Sequence, residues 1–209
     1  MRKKRNNKKL FKNKIQMFIY LILFAICIFL FIVIGKTDYT KNELPDAIKF
    51  SNTFKSVPEN NLYVYATSSD VYNIINKQSG IILMGFSKNK WVEEYASILN
   101  DVAMNYKIDK LYYYDFEKDR DDNNGTYEAI VNKLINYAPS NDKGEREIYA
   151  PTVVIVKNGN VIAYFDETTF IKGDITSKEY YSEENYVKTY NQFKEAILEY
   201  LWWFYGRKF

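Results

Sequence analysis

The chain has no histidine and a single cysteine, Cys27. These absences exclude zinc sites built from cysteine and histidine, nucleophiles that a histidine activates, and haem bound through histidine. They also exclude a disulfide within the chain, because a disulfide joins two cysteines. We therefore predict no metal ion, no cofactor and no catalytic residue, and we favour a role without enzymatic activity.

The acidic stretch 115–125 is a candidate calcium loop. A loop starting at Asp119 would place Asp121 and Asn123 where an EF-hand has ligands. Its glycine, however, is the seventh residue rather than the sixth, and Ile130 takes the place of the bidentate acid. We interpret the stretch as a solvated loop that caps a helix.

Charge divides the chain into two parts. The first 14 residues carry eight basic side chains and no acidic one, whereas the rest carries 21 basic and 26 acidic side chains, a net charge of −5. A basic tail can indicate nucleic-acid binding, but the apolar segment that follows indicates a membrane, so we predict no nucleic-acid partner. Lysine, asparagine, isoleucine and tyrosine, whose codons are rich in A and T, are abundant, which favours a bacterial source.

The segment from Ile15 to Ile34 is apolar apart from Gln16. As a helix it would be about 30 Å long, which matches the hydrocarbon core of a bilayer. The alternative is a cleaved secretory signal, whose apolar region is usually only about 7–15 residues long. We predict a basic cytoplasmic tail at 1–14 and a transmembrane signal anchor at 15–35. Because basic residues precede the span, the rest of the chain is expected outside the cytoplasm, on a single-pass protein of the cell membrane.

Residues 36–60 are predicted to form a stalk, because they are mostly polar and contain Pro45 and Pro58. An extracytoplasmic domain is predicted over 61–209. The oligomeric state cannot be inferred from the sequence.

Within this domain, predicted strands alternate with predicted helices. Runs of β-forming or apolar residues predict strands at 62–66, 81–86, 110–116, 152–156 and 161–165. Apolar residues at three- and four-residue spacing predict helices capped by Ser68 and Ser69, over 91–106, over 127–137 and from Ser182. The last two strands are joined by a hairpin with Asn158-Gly159 at its turn. This order predicts an α/β fold with a central mixed sheet flanked by helices in three layers.

Two stretches carry a resemblance to a known family. Gly85-Phe86 and Trp91 match parts of a Gly-Phe-Pro-x-Cys-Pro-Trp-Cys turn, and Ala150-Pro151-Thr152 opens a strand that ends in Lys-Asn-Gly. Over roughly residues 61–205 the chain resembles the thioredoxin-like superfamily, especially its membrane-anchored bacterial branch. The resemblance implies a thioredoxin-like fold in which Pro151 is cis and faces the turn.

The chain departs from this family at the redox centre. In the resemblance Asn89 and Val92 stand in place of the two cysteines, Ser87 and Lys90 in place of the two prolines. Disulfide exchange needs one thiolate to attack and a second thiol to resolve the mixed disulfide. An amide and a hydrocarbon do neither, so the chain by itself is predicted to be redox-inactive.

The resemblance leaves a binding role open, with the backbone of Tyr149 and Ala150 presented to an extended peptide. The predicted groove consists of Ser87, Lys88, Asn89, Lys90, Trp91, Val92, Tyr149, Ala150, Pro151 and Thr152. We expect a membrane-tethered scaffold that binds a protein or peptide. The alternatives are an accessory subunit of a thiol-disulfide exchange or secretion system whose partner supplies the thiols, and a structural spacer. Two of these residues have a simpler interpretation. Trp91 can be a core residue of its helix, and Pro151 can be a residue that only fixes where its strand begins.

The segment Leu201 to Tyr205 is unusually aromatic. Trp202 and Trp203 project about 100° apart on a helix, so one face cannot bury all five side chains. We expect at least one to be exposed and to contact a partner or the bilayer interface, where tryptophan and tyrosine are common. Packing of the segment against the stalk or the sheet is an equal alternative.

Overall fold

The computed structural model describes residues 45–166, 171 and 173–205. The predicted basic tail, the predicted signal anchor and the first part of the predicted stalk lie outside these residues. Within the part of the chain that the structure describes, none of the helices combines the length and the hydropathy that crossing a bilayer requires.

The strands form one mixed sheet at the centre of the domain. They are β1 (Tyr63–Tyr65), β2 (Gly80–Gly85), β3 (Leu111–Asp115), β4 (Thr152–Lys157) and β5 (Asn160–Phe165). In the described residues their spatial order is β1-β3-β2-β4-β5. Strand β3 pairs in parallel with both β1 and β2, whereas β4 pairs antiparallel with both β2 and β5. The predicted α/β class and the mixed sheet are therefore confirmed.

Helices cover both faces of the sheet. They are α1 (Asp46–Thr53), α2 (Ser68–Lys77), α3 (Lys90–Asn105), α4 (Glu117–Asp121), α5 (Gly125–Leu134), α6 (Ser177–Tyr180) and α7 (Glu184–Tyr205). One core joins α1, α3 and α7 to one face, and a second core joins α2 and α5 to the other. In β2, Ile81 and Leu83 enter the first core, while Ile82 and Met84 enter the second. Burial on both faces explains why this strand is a continuous apolar run.

The prediction that residues 36–60 form a stalk is wrong for its described part. Helix α1 lies on the domain, and Phe50, Phe54 and Val57 are buried in the first core. The Asp46 carboxylate also accepts a hydrogen bond of 2.9 Å from the backbone N–H of Tyr65. The folded domain therefore includes α1, rather than beginning at Asn61.

Several helix boundaries differ from the predicted ones. Thr67, not Ser68 or Ser69, is the N-cap of α2, because its hydroxyl accepts from Asp70 N while the Asp70 carboxylate accepts from Thr67 N. The last long helix begins at Glu184 rather than Ser182. The short helices α4 and α6 were not predicted. Each is at most five residues long, too short for a recognisable apolar repeat.

Candidate functional site

The sheet brings the two predicted binding stretches together. Met84, near the end of β2, pairs with Thr152, the first residue of β4. The turn 86–89 that follows β2 therefore lies beside the loop that precedes β4. The peptide bond between Ala150 and Pro151 is cis. The resemblance implied this geometry.

Asn89 joins the turn to the loop. Its side-chain oxygen caps α3 by accepting from Trp91 N at 2.8 Å. Its side-chain nitrogen donates to the carbonyl oxygen of Ala150 at 3.2 Å. The Ala150 carbonyl, which the resemblance would present to a peptide, thus already has a partner within the domain.

The other residues of the turn contribute little open surface to a groove. Val92 is fully buried, and a Cβ placed on Gly85 would lie 2.5 Å from one of its methyl groups. Trp91 is half-buried, with its ring 5.6 Å from that of Tyr180 and 5.9 Å from that of Tyr181. These surroundings therefore fit a Trp91 that packs into the core better than a Trp91 that is exposed for binding.

Three polar residues complete the turn. Ser87 donates its backbone N–H to the Asp115 carboxylate at 3.1 Å. The exposed Lys90 pairs with the carboxylate of Glu93. Lys88 is exposed. The bonds of Ser87 and Lys90 hold the turn in place.

A cavity of about 770 Å³ lies on the other side of the loop, against α5. Of the ten residues predicted to form a groove, only Tyr149 and Ala150 line it. Its remaining apolar wall was not predicted and consists of Phe86, Tyr127, Val131, Ile135 and Ile148. The volume is in the range of pockets that hold ligands.

The stripe on α5 explains why this wall was missed. Ile130, Val131, Leu134 and Ile135 look like one core-facing set at helical spacing. In the structure Ile130 and Leu134 are fully buried, whereas Val131 and Ile135 are half-buried and line the cavity. Because both pairs are apolar, the apolar stripe on α5 is wider than packing on the sheet requires. That extra width is the signal in the sequence that could have indicated the cavity wall.

Charges of both signs surround the apolar wall. Arg120 lies 4.7 Å from the centre of the Phe86 ring and pairs with Asp121 at 2.9 Å. Arg146 donates to the backbone carbonyl of Asn136 at 2.7 Å. Glu128 and Glu147 also line the cavity. Since two cations and two anions line the cavity, their charges add up to zero and do not by themselves select a charged ligand.

Tyr127 provides a neutral hydroxyl at the cavity. Burial raises the pKa of its phenol, Arg120 opposes that rise and Glu147 adds to it. The phenol therefore stays protonated at neutral pH and can donate a hydrogen bond.

The loop beside the cavity has backbone groups available for pairing. The carbonyl of Tyr149 accepts from the Thr152 hydroxyl at 2.8 Å, and that of Ala150 accepts from Asn89. No hydrogen bond joins the backbone of Ile148 to any residue that the structure describes. Ile148 thus combines an apolar side chain in the cavity with a free N–H and C=O.

A buried carboxylate, that of Glu93, contacts Lys90 at the end of the turn. It is only 4% exposed. It accepts from Ser56 N at 2.9 Å and from the Ser56 hydroxyl at 3.2 Å, and it pairs with Lys90. Burial raises its pKa, but the hydrogen bonds from Lys90 and Ser56 outweigh burial and hold the pKa below its ordinary value. Glu93 therefore ties the segment after α1 to the start of α3.

Glu93→Gln is expected to lower the free energy of unfolding at pH 7 by about 1 kcal/mol, because a neutral amide cannot form the ion pair that Glu93 makes with Lys90. A folded-state pKa below the ordinary value means that the carboxylate stabilises the fold above about pH 4.5. This stabilisation is lost as the pH falls through the folded-state pKa. Urea unfolding of both proteins from pH 7 to pH 3.5 should therefore show their difference shrinking below pH 4.5. The control is Glu94→Gln, which removes a neighbouring carboxylate outside this network; an equal loss in the control would contradict the assignment.

No protein-family model matches the chain, and no curated protein matches it.

Proposed function

We propose that the domain is a redox-inactive member of the thioredoxin-like superfamily, held on the outer face of the cell membrane by the span from Ile15 to Ile34. The mixed sheet, in which parallel β1, β3 and β2 are followed by the antiparallel pair β4 and β5, supports the resemblance. So does the cis bond before Pro151 at the start of β4. Asn89 and Val92 occupy the positions of the reactive thiols, and neither can carry out disulfide exchange.

The function that the geometry supports best is binding of an extended segment of another protein. The observation that carries it is the cavity, with its apolar wall, beside the loop that ends in Ala150. An extended segment would pair with the free N–H and C=O of Ile148 and place an apolar side chain against Val131 and Ile135. Pairing of this kind adds a strand through main-chain hydrogen bonds, and the side-chain pocket provides specificity.

The proposed segment would not cross the turn 87–92. The Ala150 carbonyl is already bonded to Asn89, and Val92 is buried. A spacer needs no cavity, whereas the cavity against α5 is open and combines an apolar wall with two arginines and two glutamates, which favours binding over a spacer.

Site-specific photo-crosslinking in intact cells tests the proposal. The crosslinker is placed at Tyr149 and at Ile135, and the control position is Lys133, which is exposed on α5 and does not line the cavity. We expect one discrete adduct from the first two positions and none from the third. Equal adducts at all three positions, or none at any, would favour the spacer.

A matched pair of variants sharpens this test. Val131→Asp places a charge in the apolar wall at a half-buried position, so the fold is expected to persist while the Tyr149 adduct decreases at least tenfold. Lys133→Asp introduces the same side chain two residues away, outside the cavity, and should leave the adduct unchanged. Circular dichroism of both variants checks that each remains folded. An undiminished adduct in Val131→Asp would place the partner elsewhere on the loop.

A further inference from the structure

The two arginines that line the cavity against α5 differ in their partners. Arg120 pairs with Asp121 at 2.9 Å, and Asp121 itself does not line the cavity. The guanidinium group of Arg146 instead donates to the backbone carbonyl of Asn136 at 2.7 Å, a neutral group that leaves its charge in place. Of the two cations, only Arg146 therefore has a charge that no carboxylate of the described residues pairs with.

The two glutamates of the cavity have no partner of either kind. In the part of the chain that the structure describes, the carboxylates of Glu128 and Glu147 form no ion pair and accept no hydrogen bond. Both side chains are exposed. Since Asp121 balances Arg120, two carboxylates remain against the single charge of Arg146. The cavity together with its direct partners is therefore anionic.

The elements that line the cavity are also acidic as a whole. Residues 117–150, which include α4, α5 and the loop, carry eight acidic and five basic side chains, a net charge of −3. Lys88 in the turn 86–89 reduces this charge to −2. All of these residues belong to the described part of the chain. The surroundings therefore favour a cationic ligand over an anionic one.

The two glutamates lie beside the apolar wall. Glu128 precedes Val131 by three residues and Ile135 by seven, so the three side chains share one face of α5. Glu147 directly precedes Ile148, whose free N–H and C=O are proposed to pair with the bound segment. A residue next to the apolar anchor of that segment would therefore lie opposite Glu147.

We propose that the segment bound by the cavity carries a lysine or arginine beside its apolar anchor, in contact with Glu147 or Glu128. This inference rests on the proposed function and names the chemistry of its partner. In a pair of strands, a basic side chain opposite an acidic one is stabilising, whereas two acidic side chains opposite each other are destabilising. The apolar wall binds the anchor, and the two free carboxylates select its basic neighbour.

Crosslinking from Tyr149 in intact cells tests this preference. The variant E128Q/E147Q removes both charges and keeps the shape of the side chains. We expect its adduct to decrease roughly fivefold, as for the loss of two exposed ion pairs. The matched control is Glu145→Gln, because Glu145 is exposed on the same loop and does not line the cavity. The control should leave the adduct unchanged, and circular dichroism checks that both variants remain folded.

The sequence of the crosslinked segment provides the second arm of the test. The adduct of the unaltered cavity is digested with a protease that does not cleave at lysine or arginine. Mass spectrometry should then find a basic residue next to an apolar one at the crosslinked site. Absence of any adduct would count against the proposed function itself. An adduct that E128Q/E147Q leaves unchanged, that Glu145→Gln decreases equally, or whose segment lacks the basic residue would overturn the charge preference alone.

Discussion

Replacing Phe50 with alanine is expected to lower the free energy of unfolding by about 3–5 kcal/mol. The Phe50 side chain is fully buried. Its ring stacks on that of Tyr63 with centroids 3.9 Å apart and lies 5.1 Å from that of Tyr113. Removing the ring leaves a cavity between α1 and two strands, and the surrounding aromatic side chains can collapse into it only in part.

The measurement is urea unfolding followed by tryptophan emission. Asn52→Ala is the matched control, because Asn52 is exposed on the same helix. Asn52→Ala should change the free energy of unfolding by no more than about 0.5 kcal/mol, as is usual at exposed sites. If Phe50→Ala behaved like this control, α1 would be part of a stalk that contributes nothing to the core.

Helix α1 also shows which part of the fold the sequence could not reveal directly. The strands were predictable because each is a short run of β-forming or apolar residues, and the long helices because their apolar spacing persists over several turns. In α1 and the residues after it, Phe50, Phe54 and Val57 do have helical spacing. They are separated by polar residues and lie just before Pro58, however, so this segment looks like a linker. Its burial depends on a tertiary contact with β1 and β3 that no local pattern encodes.

The candidate site was predictable only in part, for a similar reason. The resemblance predicted that the turn after β2 and the loop before β4 meet, and they do. It could not predict that Asn89 would donate to the Ala150 carbonyl at 3.2 Å. That bond requires an amide side chain at this position, and the family pattern has a cysteine there. Nor could it predict the cavity on the α5 side, whose wall combines residues from the turn, the helix and the loop.

Gly159→Ala is expected to destabilise the domain by about 2–5 kcal/mol. Gly159 has φ of +75°, and left-handed backbone costs an L-residue about 1–2 kcal/mol. A Cβ there would also lie 2.3 Å from the backbone oxygen of Asn76. The turn cannot easily withdraw, because Gly159 N donates to the Gln78 carbonyl at 2.7 Å. Overpacking adds about 1–3 kcal/mol.

Gly144→Ala separates these two contributions. Gly144 has φ of +80°, but a Cβ there would meet nothing within 4 Å. This variant should therefore lose only the backbone part, about 1–2 kcal/mol. Urea unfolding gives the free energy lost in each variant. The loss at Gly159 minus the loss at Gly144 measures the contact between the β4–β5 turn and the end of α2. Equal losses would mean that the hairpin shifts away from α2 without cost. A larger loss at Gly159 would show that this turn is anchored to the end of α2, which is distant in the sequence. The predicted Asn-Gly turn does not by itself require such an anchor.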